Sequence, residues 1–264
     1  MRRTREFRDI FFDAESIEKA FTFFDKSLLT DLHKRYLVKE FVIEIGELSW
    51  EFDTEDKLLE AYIPGITTII YKKTFLDYEF MLYTGEHSSY VGLKAQTLAK
   101  MVPIFRYVES LVPSGALTRE QALKKARPLI LVLHTKNGSW KELVSYLYIT
   151  HGLAVKPLEL NRSNQVLMDE IITMAGKDNL AVFVFPGEGG ESQQEDYNLI
   201  RHISGMVGND RIILVYSEKK VAQSLPLDIE KIEFRQGHIK QVFWLILNMI
   251  RKRFKEEHET QHSV

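Results

Sequence analysis

The sequence predicts an α/β protein in two parts: a parallel sheet with helices on both faces, preceded by a smaller α+β domain. Three observations lead there. The second half repeats short apolar runs such as LILVLH and NLAVFVFP, with helical stretches between them. A strand that is apolar at every position is covered on both faces, and short strand–helix alternation argues a parallel sheet. The first half instead carries runs with alternating apolar residues, the mark of a half-buried strand. Between the halves, VPSGALTREQALKKARP holds Pro113, Ser114, Gly115 and Pro128, the chemistry of a boundary.

The elements follow in order. Ile17, Ala20, Phe21, Phe24, Leu28, Leu29 and Leu32 recur at helical spacing, so Ser16 to Tyr36 reads as a helix capped by Asp13 or Ser16. KEFVIEIGELSWEF reads as one strand with Phe41, Ile43 and Ile45 on one face. TEDKLLEAYIPG is a short helix with Thr54 as N-cap. TTIIYKKTFL and DYEFMLYTG form a hairpin. LKAQTLAKMVPIFRYVESLV is a helix kinked or broken at Pro103. The expected domains are residues 1–115, a linker at 116–126 around a short polar helix, and 127–264.

In the second domain LILVLH is a strand and SWKELVSYLYITHG a helix stopped by Gly152. AVKPLEL is a strand, SNQVLMDEIITMAG a helix, NLAVFVFP a strand and QQEDYNLIRHISGMVG a helix. RIILVYS is the fourth strand, and GHIKQVFWLILNMIRKRFKEE closes the chain as a helix.

Composition narrows the function. Hydrophobic residues make up 45% of the 264 and charged residues 27%, an ordinary globular balance. The net charge of −2 gives no global positive field, so no nucleic-acid partner is expected. With no cysteine there is no disulfide, thiolate metal site or cysteine nucleophile. No metal site is expected. The basic start MRRTREFRDIFF lacks a signal peptide's apolar core. VFWLILNMI is far short of the ~20 residues that span a bilayer. A cytoplasmic protein without a membrane partner is the expectation. No P-loop, Gly-x-Gly-x-x-Gly or Gly-x-Ser-x-Gly segment is present.

Three loops at strand ends remain as candidates, because open α/β sheets bind ligands at the carboxyl ends of their strands. In HTKNGSW, Asn137, Gly138 and Ser139 can offer backbone N–H groups to an anion, with His134 beside them and Trp140 to stack on a base. The alternative is a tight Asn-Gly turn, a Ser139 helix cap and a packed Trp140. In ELNRSNQ, Arg162 can meet a phosphate, or the segment is a solvated loop with a capping Ser163 or Asn164. FPGEGGESQQEDYN carries four carboxylates and three glycines, as a functional loop or as an acidic surface. The basic IRKRFKEE suits a solvated helix end better than a membrane surface.

From about Arg127 to Phe254 the order of segments resembles a TIR-like family of prokaryotic nucleotide-binding proteins, relatives of Toll/interleukin-1 receptor domains. LVLHTKNG stands where the family has a strand ending in Val-His-Gly, and GLAVKPLEL where it has Leu-Gly-Leu-x-Pro-x-x-Leu. VFVFPGEG ends its strand in proline, Pro186. SGMVGNDRIILVYSE matches Gly-x-x-Gly-x-x-Arg before a strand, and LPLDIEKIEF matches Leu-Pro-x-Asp-Ile-x-Gly-Ile.

The resemblance implies a flavodoxin-like fold binding NAD or a related nucleotide as ligand or substrate, with no further cofactor required. His134, Asn137, Gly138, Ser139 and Trp140 would line one side of the pocket, with Arg162 and Pro186 near the phosphates or ribose. It also implies homo-oligomers formed through this domain. Active relatives cleave the nicotinamide–ribose bond in defence signalling. That chemistry needs a carboxylate at the ribose to stabilise an oxocarbenium-like transition state. Here the chain departs from the pattern: counting back from GNDR, the family's glutamate position holds Leu199. Glu195 lies one helical turn earlier, and Glu188 or Glu191 stands in the preceding loop. Three readings result: a catalytically degenerate nucleotide binder, an NAD glycohydrolase using Glu195 or Glu188, and a non-enzymatic TIR-type scaffold. The first 115 residues match no family pattern.

Overall fold

In a computed structural model the described residues are 1–28, 37–85, 88–126, 128–135, 138–160, 167–168, 171, 174, 179–185, 198, 200–205, 208–217, 229–235 and 237–261. They divide into two compact units, Met1–Ala126 and Arg127–Val264.

The first unit contains β1 (Arg2–Arg8), β2 (Ile10–Phe12), α1 (Ala14–Leu28), β3 (Val38–Ile45), β4 (Leu48–Glu51) and α2 (Glu55–Ala61). After these come β5 (Thr68–Phe75), β6 (Tyr78–Thr84), β7 (Ser88–Lys94), α3 (Leu98–Gly115), β8 (Ala116–Thr118) and α4 (Arg119–Lys125). Six strands form an antiparallel sheet in the order β1-β7-β6-β5-β3-β4. Alternation does what the sequence predicts. Along β5 Ile69, Tyr71, Lys73 and Phe75 are buried, while Thr68, Ile70, Lys72 and Thr74 are half-buried. The buried row meets α1, where Phe21 stacks on Tyr71 and stands edge-on to Phe80 at 5.0 Å.

One charge sits on that buried face. The Lys73 ammonium lies 3.0 Å from Asp25 of α1 and 3.2 Å from Glu55 of α2, so one cation ties two helices to the sheet. Burial raises the Tyr71 phenol well above its usual pKa, and the neighbouring Glu55 and Asp25 charges add to this.

Several expectations change here. KEFVIEIGELSWEF is two strands, not one. The chain reverses at Gly46, whose φ of 59° suits glycine, and Ile45 pairs with Leu48. Leu93 and Lys94 close β7, so the next helix starts at Leu98, and it runs through both Pro103 and Pro113. Residues 116–126 are not a linker. β8 pairs with β2, α4 starts on a capping box between Thr118 and Gln121, and Ala122 packs with Phe11 and Leu117. The turn-rich composition reflects close approach instead: a Cβ on Gly115 would run into the Ser16 side chain. Thr54 caps α2 as expected, accepting from the Lys57 N–H.

The second unit contains β9 (Ile130–His134), α5 (Ser139–Ser145), a π-helical turn (Tyr146–Thr150), β10 (Val155–Glu159) and β11 (Leu180–Phe185). These are followed by β12 (Ile212–Tyr216), β13 (Glu230–Glu233) and α6 (Phe243–Gln261). Its five strands are all parallel, in the order β10-β9-β11-β12-β13. Every residue of β9, β11 and β12 is buried, as continuous apolar runs require. The fifth strand, β13, was not expected. The helix expected over SWKELVSYLYITHG is α5 passing into the π turn, and it ends at Gly152, with φ 63° and an N–H donated to the Tyr148 carbonyl. Asn179, 2% exposed, accepts from the Leu129 N–H at 3.1 Å and donates to the Met174 carbonyl, joining the starts of β9 and β11. No helix among the described residues is long and apolar enough to cross a membrane.

Candidate functional site

The order of strands singles out one place. In sequence β9 comes first, β10 is laid on one side of it, and the chain then returns to lay β11 on the other. In parallel α/β sheets of this order, connections leaving the two sides diverge at the carboxyl ends of the first and third strands, and a crevice opens there. His134 ends β9, with Glu159 of β10 in register on one side and Val184 of β11 on the other.

Local chemistry positions His134 tightly. Its carbonyl accepts from the Leu160 N–H at 2.8 Å, prolonging the ladder beyond β10. Its Nδ1 lies 2.9 Å from the Thr135 carbonyl. A carbonyl only accepts, so Nδ1 is the protonated nitrogen in this contact. The imidazole is 6% exposed and stacks on Trp140, with ring centroids 3.8 Å apart and planes 12° from parallel. Trp140 is 3% exposed, and the Lys141 ammonium lies 5.6 Å from its ring centroid. The indole's stacking partner in this chain is thus His134. The pair clamps the start of α5 to the end of β9.

The accessible part of the loop lies beside this clamp. Thr135 and Ser139 are half-buried and Gly138 is exposed. Gly138 takes the N-cap position with an ordinary φ of −70°, and Ser139 is the first residue of α5 rather than its cap. A Cβ on Gly138 would meet nothing within 4 Å. Along the same edge of the sheet stand Glu159, Phe185, Tyr216 and Glu233, each ending its strand. The Tyr216 phenol is raised above its usual pKa by burial, with the Glu233 carboxylate adding to the effect.

The structure brings His134, Gly138, Ser139 and Trp140 together. Asn137, Arg162, Pro186, Glu188, Glu191, Glu195 and Leu199 lie outside the described residues. Sequence reading did not single out Tyr216 and Glu233. The signal for Tyr216 was present, since it ends RIILVYS as His134 ends LILVLH. For Glu233 it was weak, because its strand was not read as one. Among the described residues no group of three histidine or acidic side chains is placed to hold a metal ion.

No family model matches the chain, and no curated protein does. One solved structure is similar in part: the cobalamin-dependent S-adenosylmethionine radical enzyme OxsB with aqua-cobalamin bound, at 11% identity and a TM-score of 0.30. The match covers 78% of this chain and 29% of that one, so the chain spans less than a third of the enzyme's length. A likeness this slight carries no argument about fold or chemistry.

Proposed function

We propose that Arg127–Val264 is a flavodoxin-like, TIR-like domain that binds NAD or a related nucleotide at the carboxyl edge of its sheet, between β9 and β11. The observation that carries this reading is the strand order. Numbered along the unit it is 2-1-3-4-5, all parallel, the order in which doubly wound domains hold a nucleotide at the switch between strands one and three. The residues at that switch agree with it. The buried His134–Trp140 stack holds the loop, leaving Thr135, Gly138 and Ser139 to face a ligand. The resemblance also implies self-association, and among the described residues the exposed large apolar side chains of this unit are Ile149, Trp244 and Leu245.

The test is calorimetric titration of the full chain with NAD at high protein concentration, with nicotinamide release followed in parallel. Gly138→Glu places a carboxylate at an exposed position of ordinary φ and open space, so the fold is kept while phosphate is repelled. The expected result is NAD binding that falls at least about tenfold in Gly138→Glu, equivalent to ~1.4 kcal/mol. Equal binding by both proteins removes the ligand from this crevice. Nicotinamide release lost in Glu195→Gln would add glycohydrolase activity to the binding reading.

A further inference from the structure

The first unit has a feature that the nucleotide reading does not use. β1 is an edge strand, paired with β7 on one side. The Met1 carbonyl accepts from the Ala95 N–H at 3.1 Å. In an antiparallel ladder alternate residues exchange these bonds, so odd residues of β1 face β7. Arg2, Thr4, Glu6 and Arg8 therefore direct N–H and C=O groups outward. All four residues are exposed, and among the described residues no hydrogen bond to those outward groups is present.

The charge of this edge is one-sided. Arg2, Arg3, Arg5 and Arg8 stand against a lone Glu6, a net of +3 over seven residues. Arg2 and Arg5 reach back to Glu79 and Glu109, and Arg8 to Glu6. Among the described residues Arg3 has no such partner. A second copy of β1 is a poor occupant. Antiparallel self-pairing centred on the strand sets Arg5 against Arg5 and Arg2 against Arg8, and like charges directly opposite are destabilising. Alternating arginines on both faces are instead matched by an extended strand bearing carboxylates.

We propose that β1 is a strand-addition site for an acidic extended peptide. Backbone hydrogen bonds to Thr4 and Glu6 would supply affinity, and the arginines the choice of sequence. The simpler role for such arginines is to block edge-to-edge aggregation, and the experiment separates the two.

The probe is a capped eight-residue peptide alternating glutamate and valine, titrated into the full chain at low salt. A lysine–valine peptide is the control. Backbone amide exchange is read residue by residue. The expected result is binding of the acidic peptide only, with slowed exchange at Thr4 and Glu6. Thr4→Pro removes one outward N–H without touching the bonds to β7, a place where an edge strand tolerates proline. It should weaken binding about tenfold. Arg3→Glu, at an exposed position, should weaken it further. Loss of affinity in Arg3→Glu, with native amide exchange elsewhere, keeps the proposal testable if Thr4→Pro fails to fold. No binding of the acidic peptide, or equal binding by folded Thr4→Pro, overturns the proposal and leaves the arginines as guards of the edge.

Discussion

The two sheets solve the same problem in opposite ways. In β5 buried and half-buried residues alternate along the strand, whereas in β11 all six residues are buried. The antiparallel sheet of the first unit has one face against helices and the other half-buried. The parallel sheet of the second unit is covered on both faces. What each leaves for function differs accordingly. A half-open sheet offers a face and an edge, and the edge is where β1 lies. A covered sheet offers only the ends of its strands, and those ends hold His134, Glu159, Tyr216 and Glu233.

Four substitutions test how far this contrast holds. The largest effect is expected where the alternating sheet breaks its own rule, at Lys73. Lys73→Ala leaves Asp25 and Glu55 facing each other without their shared cation. It should destabilise the first unit by about 3 kcal/mol. The readout is guanidinium unfolding followed by amide exchange in peptides of that unit. A loss below ~1 kcal/mol would mean that the triad is solvated in practice and pins nothing.

A matched pair comes next. Val182→Thr keeps the shape of the side chain but buries a hydroxyl within the covered sheet, at a cost of about 2 kcal/mol. Ile70→Thr makes a similar change on the half-open face and should cost under about 1 kcal/mol. Unfolding curves for the two variants should differ in that order, and equal losses would mean that the open face is not open.

The smallest effect concerns the boundary. Thr118→Ala removes the capping box of α4 and should cost the first unit about 1 kcal/mol. Were residues 116–126 a linker, amide exchange in the first unit would not respond.

Legibility in the sequence followed the amount of apolar pattern each element carried. Continuous runs announced β9, β11 and β12, and alternation announced β5 and β6. Local chemistry placed Thr54 at the start of α2 and Gly152 at the end of the π turn. Three of the misses share a cause. β1 has one inward apolar side chain, Phe7, among exposed arginines, and β13 reads exposed, half-buried, buried, exposed. Such segments hold little hydrophobic signal of their own, and pairing with a neighbour makes them strands. β8 is three residues long and was hidden among turn residues for the same reason.

At the candidate site, the end of an apolar strand at His134 and the loop after it could be read directly. The stacking of His134 on Trp140 could not, since it depends on the angle at which α5 leaves the sheet.

By itself the sequence determined the two-part organisation, the covered and half-open characters of the sheets, and most strand and helix positions. Those follow from periodicity and from local backbone preferences, which act over a few residues. Only the tertiary structure decided the strand order, the membership of residues 116–126 in the first unit, the burial of Lys73 between two helices and the free edge of β1. Each depends on partners tens of residues apart, and no local pattern encodes which segment a given surface will meet.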